Sequence, residues 1–343
     1  MPEPTIAQVV NLSQEEEDRV REFSQKLLGK TAVGIATYPL NFAKTLHQIG
    51  YEPYPLTTGK VFVVAGRDAY FLPNTFKYLR NVYHDQGFRT LFTGLDAAIL
   101  SYLTGGIFSF AAELYLDRYY PEIGGKPGEE NKDEAEMTDH ESFRVHFRKA
   151  IRDSICCGVG TIVSRPLTVV MVREIAQLVG GEQKYNSFCG SILRIGYEEG
   201  PNGFFSGLVP ALIAQGITIW GCFALSYGLE RALVRAQEGN SDDEAAKKAT
   251  KDARSVLRIV VPFFVNSFSY PFNVVSTMMS LNGSGLAVSL LPYSPAFNYW
   301  GDCYDYLKPH GLTRGARMFL REQKGAVSVG SDHQLYASNK YFV

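Results

Sequence analysis

The sequence predicts an all-α membrane protein, organised as a threefold repeat bundle with kinked odd-numbered helices and five spans. Three observations support this prediction: five long apolar stretches, a proline repeated in three of them, and a glycine turn that occurs twice in similar form. The chain has 343 residues, a net charge of −1 and a pI near 6.6. This charge balance offers no basic face, so we expect no nucleic-acid partner.

Five stretches approach the length of about 20 apolar residues that crosses a hydrocarbon core about 30 Å thick. Polar residues interrupt all of them, and a charge at mid-span costs about 2.5–3.5 kcal/mol unless it faces a bundle interior or water. A membrane bundle with a polar interior and a soluble protein with long buried helices are the two interpretations, and we favour the first. The stretches are 27–49, 94–115, 155–179, 207–233 and 256–281.

Two polar stretches divide the chain into three blocks. Residues 121–142 carry eight acidic residues and almost no apolar ones, which predicts a solvated, disordered loop. The N-terminal segment lacks both the apolar core of a secretory signal and the acid-free composition of a mitochondrial presequence. The predicted domains are an acidic segment 1–26, repeat 1 at 27–120, the acidic loop 121–142, repeat 2 at 143–235, a polar linker 236–254 and a degenerate repeat 3 at 255–343.

A proline recurs inside the first, third and fifth apolar stretches. Proline removes a backbone hydrogen bond and kinks or breaks a helix at that point. The three are Pro39 in TYPLNFAK, Pro166 in SRPLTVVMVR and Pro271 in SYPFNVVS. Because each follows Tyr or Arg and precedes an apolar residue, the pattern indicates a threefold repeat.

A glycine turn precedes the second and fourth stretches. In DQGFRTLFTGL the glycines are Gly87 and Gly94, and they align with Gly200 and Gly207 in EEGPNGFFSGL. We expect each turn to lead from a surface helix into a span. In the third block the predicted counterpart of Gly87 and Gly200 is Gly325, in REQKGAVSVG.

These motifs resemble the repeat of the mitochondrial carrier family over about residues 27–281. In that family a kinked helix carries Pro-x-acid-x-x-base, and the charges form an ion-pair gate. Five of the six charges are absent here, and neutral partners lack the charge-assisted bond, which argues against ordinary metabolite exchange. The acidic positions hold Asn41, Thr168 and Asn273, and the basic positions hold Lys44, Met171 and Ser276.

The last block departs further, since residues 326–343 are too short and too polar for a sixth span. With QIGYEPYPLTTGK and SPAFNYW, this resembles the outer-membrane carrier homologs, a divergent branch of the family. The resemblance implies a multi-pass protein of the mitochondrial outer membrane that inserts α-helical and tail-anchored client proteins into the lipid bilayer and recruits a pro-apoptotic protein. No enzyme activity, cofactor or metal is expected. A degenerate solute carrier and a scaffold that docks partners through the polar linkers are the alternatives.

Under this interpretation a hydrophilic groove open to lipid contacts the client. Lys44 keeps the family's basic position, and Gln215 lies eight residues after Gly207, where the family holds substrate contacts. For Gln215 a helix–helix hydrogen bond is the alternative. Arg173 is expected at the membrane interface. The other groove candidates are Arg165, which precedes the second proline, and the neutral residues Asn41, Asn266, Tyr270 and Asn273.

Overall fold

A computed structural model describes residues 14–61, 66–125, 137–238, 244–289, 296–309 and 311–337. Most of these residues are helical, and four helical stretches among them are long and apolar enough to cross a membrane. The helical membrane class is therefore confirmed. The helices are α1 Gln14–Ala36, α2 Tyr38–Ile49, α3 Thr75–Gln86, α4 Leu95–Tyr119, α5 Asp139–Gly180, α6 Phe188–Glu198, α7 Pro201–Phe204, α8 Leu208–Glu238, α9 Glu244–Leu281 and α10 Trp300–Leu307.

The first predicted span differs from the other four, because it is two helices and not one kinked helix. Helix α1 ends at Ala36, and α2 begins at Tyr38 with Pro39 in its first turn. The missing N–H of proline is harmless at that position. Thr37 between the helices donates its hydroxyl to Val33 O at 2.8 Å. The four span candidates coincide with the other predicted stretches, in α4, α5, α8 and α9.

The other two repeated prolines lie inside continuous helices. Pro166 is within α5, and Pro271 is within α9 together with Pro262. Helix α5 has 42 residues and is therefore about 63 Å long, roughly twice the thickness of a hydrocarbon core. It must extend beyond the membrane at one end or both.

Both predicted polar connections are more helical than expected. In the acidic loop, residues 126–136 lie outside the described residues, but α5 already begins at Asp139. Thr138 and Glu141 form a capping box there, with reciprocal hydrogen bonds that satisfy the first backbone N–H groups. In the linker 236–254, α8 continues to Glu238 and α9 starts at Glu244, because Ala, Glu and Lys are strong helix formers. The N-terminal residues 1–13 also lie outside the described part of the chain.

A small antiparallel sheet, which the sequence did not predict, joins two distant parts of the chain. Strands β1 (Thr57–Lys60) and β2 (Asp68–Leu72) pair with each other, and β3 (Arg321–Glu322) adds to the free edge of β2. A second pair is formed by β4 (Val327–Val329) and β5 (Leu335–Ala337). In the described residues after Leu307, turns and these strands stand where a sixth span would follow.

The spans pack side by side in chain order, and among the described residues the last is not packed comparably on the first, which leaves one side open. Helix α4 packs on α5, α5 on α8, and α8 on α9, while α1 packs on α4. Gly105 of α4 and Gly160 of α5 allow close approach, since a methyl group on Gly160 would lie 2.6 Å from Gly105 O. Helix α2 contacts both α5 and α9. Along the rest of its length α9 has no comparable packing on α1, within the described residues.

One hydrogen bond recurs in all three repeats. The residue before each repeated proline donates from its side chain to the backbone oxygen of the residue before a turn glycine. This bond ties the middle of each odd helix to the start of the following even segment. The three pairs are Tyr38 Oη to Thr93 O at 2.6 Å, Arg165 Nε to Ser206 O at 2.9 Å, and Tyr270 Oη to Arg314 O at 2.5 Å.

The third bond identifies Gly315 as the repeat 3 counterpart of Gly94 and Gly207. The prediction of Gly325 as the counterpart of Gly87 and Gly200 is wrong, because Gly325 follows Gly315 in the chain, whereas Gly87 and Gly200 precede Gly94 and Gly207. Gly94, Gly207 and Gly315 have φ of +80°, +70° and +69°, whereas Gly325 does not have a positive φ. The sequence pattern missed Gly315 because Arg-Gly-Ala replaces the aromatic-x-Gly-Leu of the other turns. The earlier turn glycines Gly87 and Gly200 also have positive φ, at +88° and +66°.

Arg321 fixes the segment that follows this turn. Its guanidinium donates to Pro73 O at 2.9 Å, lies 3.0 Å from His47 Nδ1 and pairs with the Glu52 carboxylate. His47 and Glu52 are themselves 2.9 Å apart, and all three side chains are buried. Burial opposes ionisation of Glu52, but His47 and Arg321 together hold the pKa of that carboxyl below its ordinary value.

We expect Gly315→Ala to destabilise the protein and Gly325→Ala to be nearly neutral. At Gly315 a methyl group would lie 3.1 Å from Lys44 O and from Tyr270 Oη, with the backbone at positive φ. Such strain costs about 1–2 kcal/mol. Thermal unfolding of the detergent-purified variants measures the difference, and an equal loss for both would contradict the assignment of the turn.

Arg321→Met should release the C-terminal segment. It leaves Glu52 buried without its permanent cation, and breaking a buried pair costs about 3–5 kcal/mol. We expect faster amide exchange at Gln323, whose N–H bonds to Tyr70 O at 2.8 Å, and faster trypsin cleavage after Lys324.

The double variant Arg321→Met with Glu52→Gln should regain part of the protection against amide exchange and trypsin, because it also removes the unpaired buried charge of Glu52. Arg67→Met is the control, since the exposed Arg67 pairs with Glu322 at the surface. If Arg67→Met released the segment as readily as Arg321→Met, the buried cluster would not be the anchor.

Candidate functional site

A cavity of about 710 Å³ lies where α2, α9 and the C-terminal segment meet. The end of α2 contributes His47, the middle of α9 contributes Phe263 to Tyr270, and residues 313–317 and 321–326 form the remaining wall. Its volume is in the range of small-molecule sites. Only long-range folding creates it, because its walls come from the first and the last repeat.

Lys44 and Tyr270 are two predicted groove residues that the structure brings together. The Lys44 ammonium lies 5.4 Å from the centroid of the Tyr270 ring, and Lys44 is exposed. Tyr270 is buried, donates to Arg314 O and accepts from Gln48 Nε2 at 3.3 Å. The lysine therefore lies beside Tyr270, a cavity residue, over an aromatic face that favours a cation.

Helix α9 presents an uncovered stripe that leads into the cavity. Val256, Ile259 and Phe263 recur at helical spacing and are 58%, 75% and 78% exposed. Asn266, a predicted groove residue, and Ser267 continue the stripe as exposed polar residues and line the cavity. The stripe thus changes from apolar to polar along one helix face, on the side where α9 lacks a neighbouring span.

Asn41 and Asn273 stand at the positions where the carrier repeat has acids. Both are partly exposed, and their backbone oxygens accept hydrogen bonds from the hydroxyls of Thr45 and Thr277. The third such residue, Thr168, bonds to Ser101 of α4 at 2.9 Å. The six gate positions therefore hold no ion pair among the described residues, as the sequence indicated.

Gln215 belongs to a different part of the bundle. Its Oε1 accepts from Thr161 Oγ1 at 2.6 Å, which joins α8 to α5. Gln215 does not line the cavity. The structure therefore gives Gln215 the helix–helix hydrogen bond that was the alternative interpretation.

Arg165 is buried and held by backbone oxygens, and the structure does not bring it to the cavity. It donates to Ser206 O and to Ser276 O at 3.2 Å, and to Ser280 Oγ at 2.8 Å. Only 5% of the residue is exposed. Its contacts clamp α5 to the α8 turn and to α9, so its role in the structure is to hold helices together.

Arg173 is also buried, which corrects its predicted place at the membrane interface. It pairs with Glu199, with Nη2 2.9 Å from Oε2, and donates from Nε to Ser280 O at 2.9 Å. Its exposure is 0%. Sequence alone shows a lone arginine near a helix end, whereas the partner Glu199 comes from the following turn.

The cavity carries excess positive charge. Two carboxylates line it, and each is already paired, Glu52 with Arg321 and Glu322 with Arg67. Within the described residues, no carboxylate lies within ion-pair distance of the exposed Arg317 or Lys324. The residues that sequence analysis missed here are the buried pair His47 and Glu52 and the cations Arg314, Arg317, Arg321 and Lys324.

Comparison with known proteins assigns the family. The family described as "Mitochondrial carrier protein" matches residues 21–123 and 147–237. Mitochondrial carrier homolog 2 of Homo sapiens is 32% identical over 303 residues, covering 87% of this chain and 93% of the relative. The Mus musculus homolog 2 is 33% identical over 300 residues, with the same coverage.

Mitochondrial carrier homolog 1 of Mus musculus is 31% identical over 309 residues, covering 86% of this chain and 74% of the relative. These alignments extend past the family match into the third repeat. The chain therefore belongs to the mitochondrial carrier family, in a divergent branch with the carrier homologs.

Proposed function

We propose that this protein is an insertase of the mitochondrial outer membrane for α-helical and tail-anchored proteins. The observation that supports it most is the uncovered face of α9, which is apolar at Ile259 and Phe263 and polar at Asn266. A client segment has the same two parts, an apolar helix and a short polar tail. The open side of the bundle offers a matching surface for both.

The barrier to insertion is the polar tail. Each buried polar group without a partner costs a few kcal/mol, and a charge at mid-bilayer costs about 2.5–3.5 kcal/mol. Lys44, Asn266 and Ser267 supply donors and acceptors on the open side of the bundle. They would replace water around the tail while the apolar helix moves sideways into lipid. No covalent step is required.

Lys44→Glu should lower client insertion at least tenfold, which corresponds to about 1.4 kcal/mol. The change removes a donor and repels the terminal carboxylate of the tail. The measurement is protease protection of a tail-anchored client added to proteoliposomes of the purified protein. Lys77→Glu on the exposed face of α3 is the matched control, because it makes the same charge change away from the open side.

Gln215→Leu should have a smaller effect of about twofold, through loosening of the α5–α8 contact. Equal insertion by wild type, Lys44→Glu and Gln215→Leu would reject the groove mechanism.

Transport of a small metabolite is the alternative within the family. The gate positions argue against it, since Ser276 donates to Gly207 O at 2.8 Å and Thr168 bonds to Ser101, so neither forms a charge pair. Saturable solute exchange by the same proteoliposomes, unaffected by client protein, would favour a carrier over an insertase.

The outer-membrane location and the recruitment of a pro-apoptotic protein are parts of the same proposal. They rest on the resemblance to the outer-membrane carrier homologs. Tryptic accessibility of the segment around Lys324 in intact mitochondria tests the location. Co-purification of the pro-apoptotic partner with wild-type protein from apoptotic cells, and its loss with the protein absent, tests recruitment.

A further inference from the structure

We propose that an apolar tip on the C-terminal segment lies in the interfacial zone of the bilayer and anchors the part of the chain that stands where a sixth span would follow. The tip consists of Met318, Phe319 and Leu320 together with Phe76 at the start of α3. Its partner is the apolar zone just below the lipid headgroups, whatever the headgroup. The proposal does not depend on client insertion, and it is measured without a client.

The tip brings four large apolar side chains together at the surface. Met318, Phe319 and Leu320 are 39%, 58% and 69% exposed, although they follow one another in the chain. Phe76 is 52% exposed, and its ring centroid lies 5.7 Å from that of Phe319. Apolar residues scattered singly over a surface need no explanation, whereas a contiguous exposed patch marks a contact with a membrane or another molecule.

The backbone of the tip is fixed. Met318 O accepts from Thr75 N at 3.0 Å, which ties the tip to the start of α3. Directly after the tip, the buried Arg321 donates to Pro73 O at 2.9 Å. Between these two contacts Leu320 has φ of +48°, a strained conformation for leucine that persists only where the surrounding structure imposes it. The exposed side chains therefore stand on a held loop.

The tip lies at a depth that the bundle itself spans. A methyl group on Gly315 would lie 3.1 Å from Tyr270 Oη, which places that turn beside the middle of α9. Phe319 follows Gly315 by four residues and is therefore at most about 14 Å away. Helix α9, a span candidate, continues from Tyr270 to Leu281, about 16 Å along its axis. The tip thus does not reach the water beyond the end of α9.

The flanks of the tip have the chemistry of an interfacial anchor. Arg317 comes directly before it and Lys324 shortly after it, and both are exposed. Interfacial segments place apolar side chains at the boundary of the hydrocarbon and long cationic ones at the level of the headgroups. Arg317 also lines the cavity together with Phe263 of the exposed face of α9, so the tip continues the surface on the open side of the bundle.

The size of the tip favours lipid over a protein partner. A large aromatic side chain buries about 150–250 Å², so the four half-exposed side chains together offer roughly 400 Å². A stable protein interface takes about 800 Å² from each partner. Insertion into a bilayer has no such requirement, because each apolar side chain gains independently when it leaves water. The observations therefore favour the bilayer over a second copy of this chain.

The test places a single tryptophan in the tip. The chain has two tryptophans, Trp220 and Trp300, which are replaced by phenylalanine, and Phe319→Trp is added. The full-length protein is placed in nanodiscs that hold one copy each, made of phosphatidylcholine with acyl chains brominated near the glycerol. We expect a severalfold loss of fluorescence relative to unbrominated lipid, because bromine quenches tryptophan only on close approach.

Val329→Trp in the same background is the matched control. Val329 is 66% exposed and lies on β4, in the second strand pair of the same segment. We expect it to be quenched by acrylamide in the water and unaffected by bromine, and thermal unfolding confirms that both variants remain folded. Acrylamide quenching of both residues without bromine quenching of Phe319→Trp would overturn the proposal. Shielding that appears only in nanodiscs with two copies would overturn the bilayer as the partner.

A second measurement keeps both native tryptophans. Phe319→Asp should speed trypsin cleavage after Arg317 severalfold in phosphatidylcholine liposomes, because a carboxylate withdraws the tip from the hydrocarbon boundary. Val329→Asp introduces the same charge in the same segment and should leave that rate unchanged. An unchanged rate in the folded Phe319→Asp variant would contradict an anchoring role for the tip.

Discussion

The hydrogen bond from the residue before each repeated proline to the carbonyl before a turn glycine organises the bundle. Pro166 and Pro271 each remove a backbone hydrogen bond inside a continuous helix, whereas Pro39 stands in the first turn of α2. The neighbouring side chain, Tyr38, Arg165 or Tyr270, reaches across to the next turn at that level. The glycine then brings the turn backbone into contact with the following repeat, where no side chain would fit.

These contacts run in a ring. A methyl group on Gly94 would lie 3.2 Å from Met171 O, one on Gly207 2.5 Å from Ser276 O, and one on Gly315 3.1 Å from Lys44 O. Repeat 1 therefore rests on repeat 2, repeat 2 on repeat 3, and repeat 3 on repeat 1. The ring closes at this level although the described residues after Leu307 contain no sixth span. Beyond the ring, one face of α9 stays uncovered, at Val256, Ile259 and Phe263.

Two arginines of α5 lie close in sequence to the gate positions Thr168 and Met171 but make fixed contacts with backbone oxygens. Arg165 and Arg173 are buried and hold backbone oxygens, and Arg173 adds a buried pair with Glu199. Removing one member of such a pair is expensive, so these arginines favour one arrangement. These fixed contacts support the proposed lateral exchange with lipid over alternating access.

The sequence alone determined the helical membrane class, four of the spans and the positions of Pro39, Pro166 and Pro271, because hydrophobic length and proline chemistry are local properties. It also determined that the gate charges are missing. It did not determine Gly315, the strand pairing of Arg321 with Leu72, or the burial of Arg173. Each of these depends on a contact with a residue more than 20 positions away in the sequence. Local secondary-structure propensity does not encode such a contact. The cavity is the clearest case: His47 and Lys324 are 277 positions apart in the sequence, and only the closing of repeat 3 onto repeat 1 gives them a common wall.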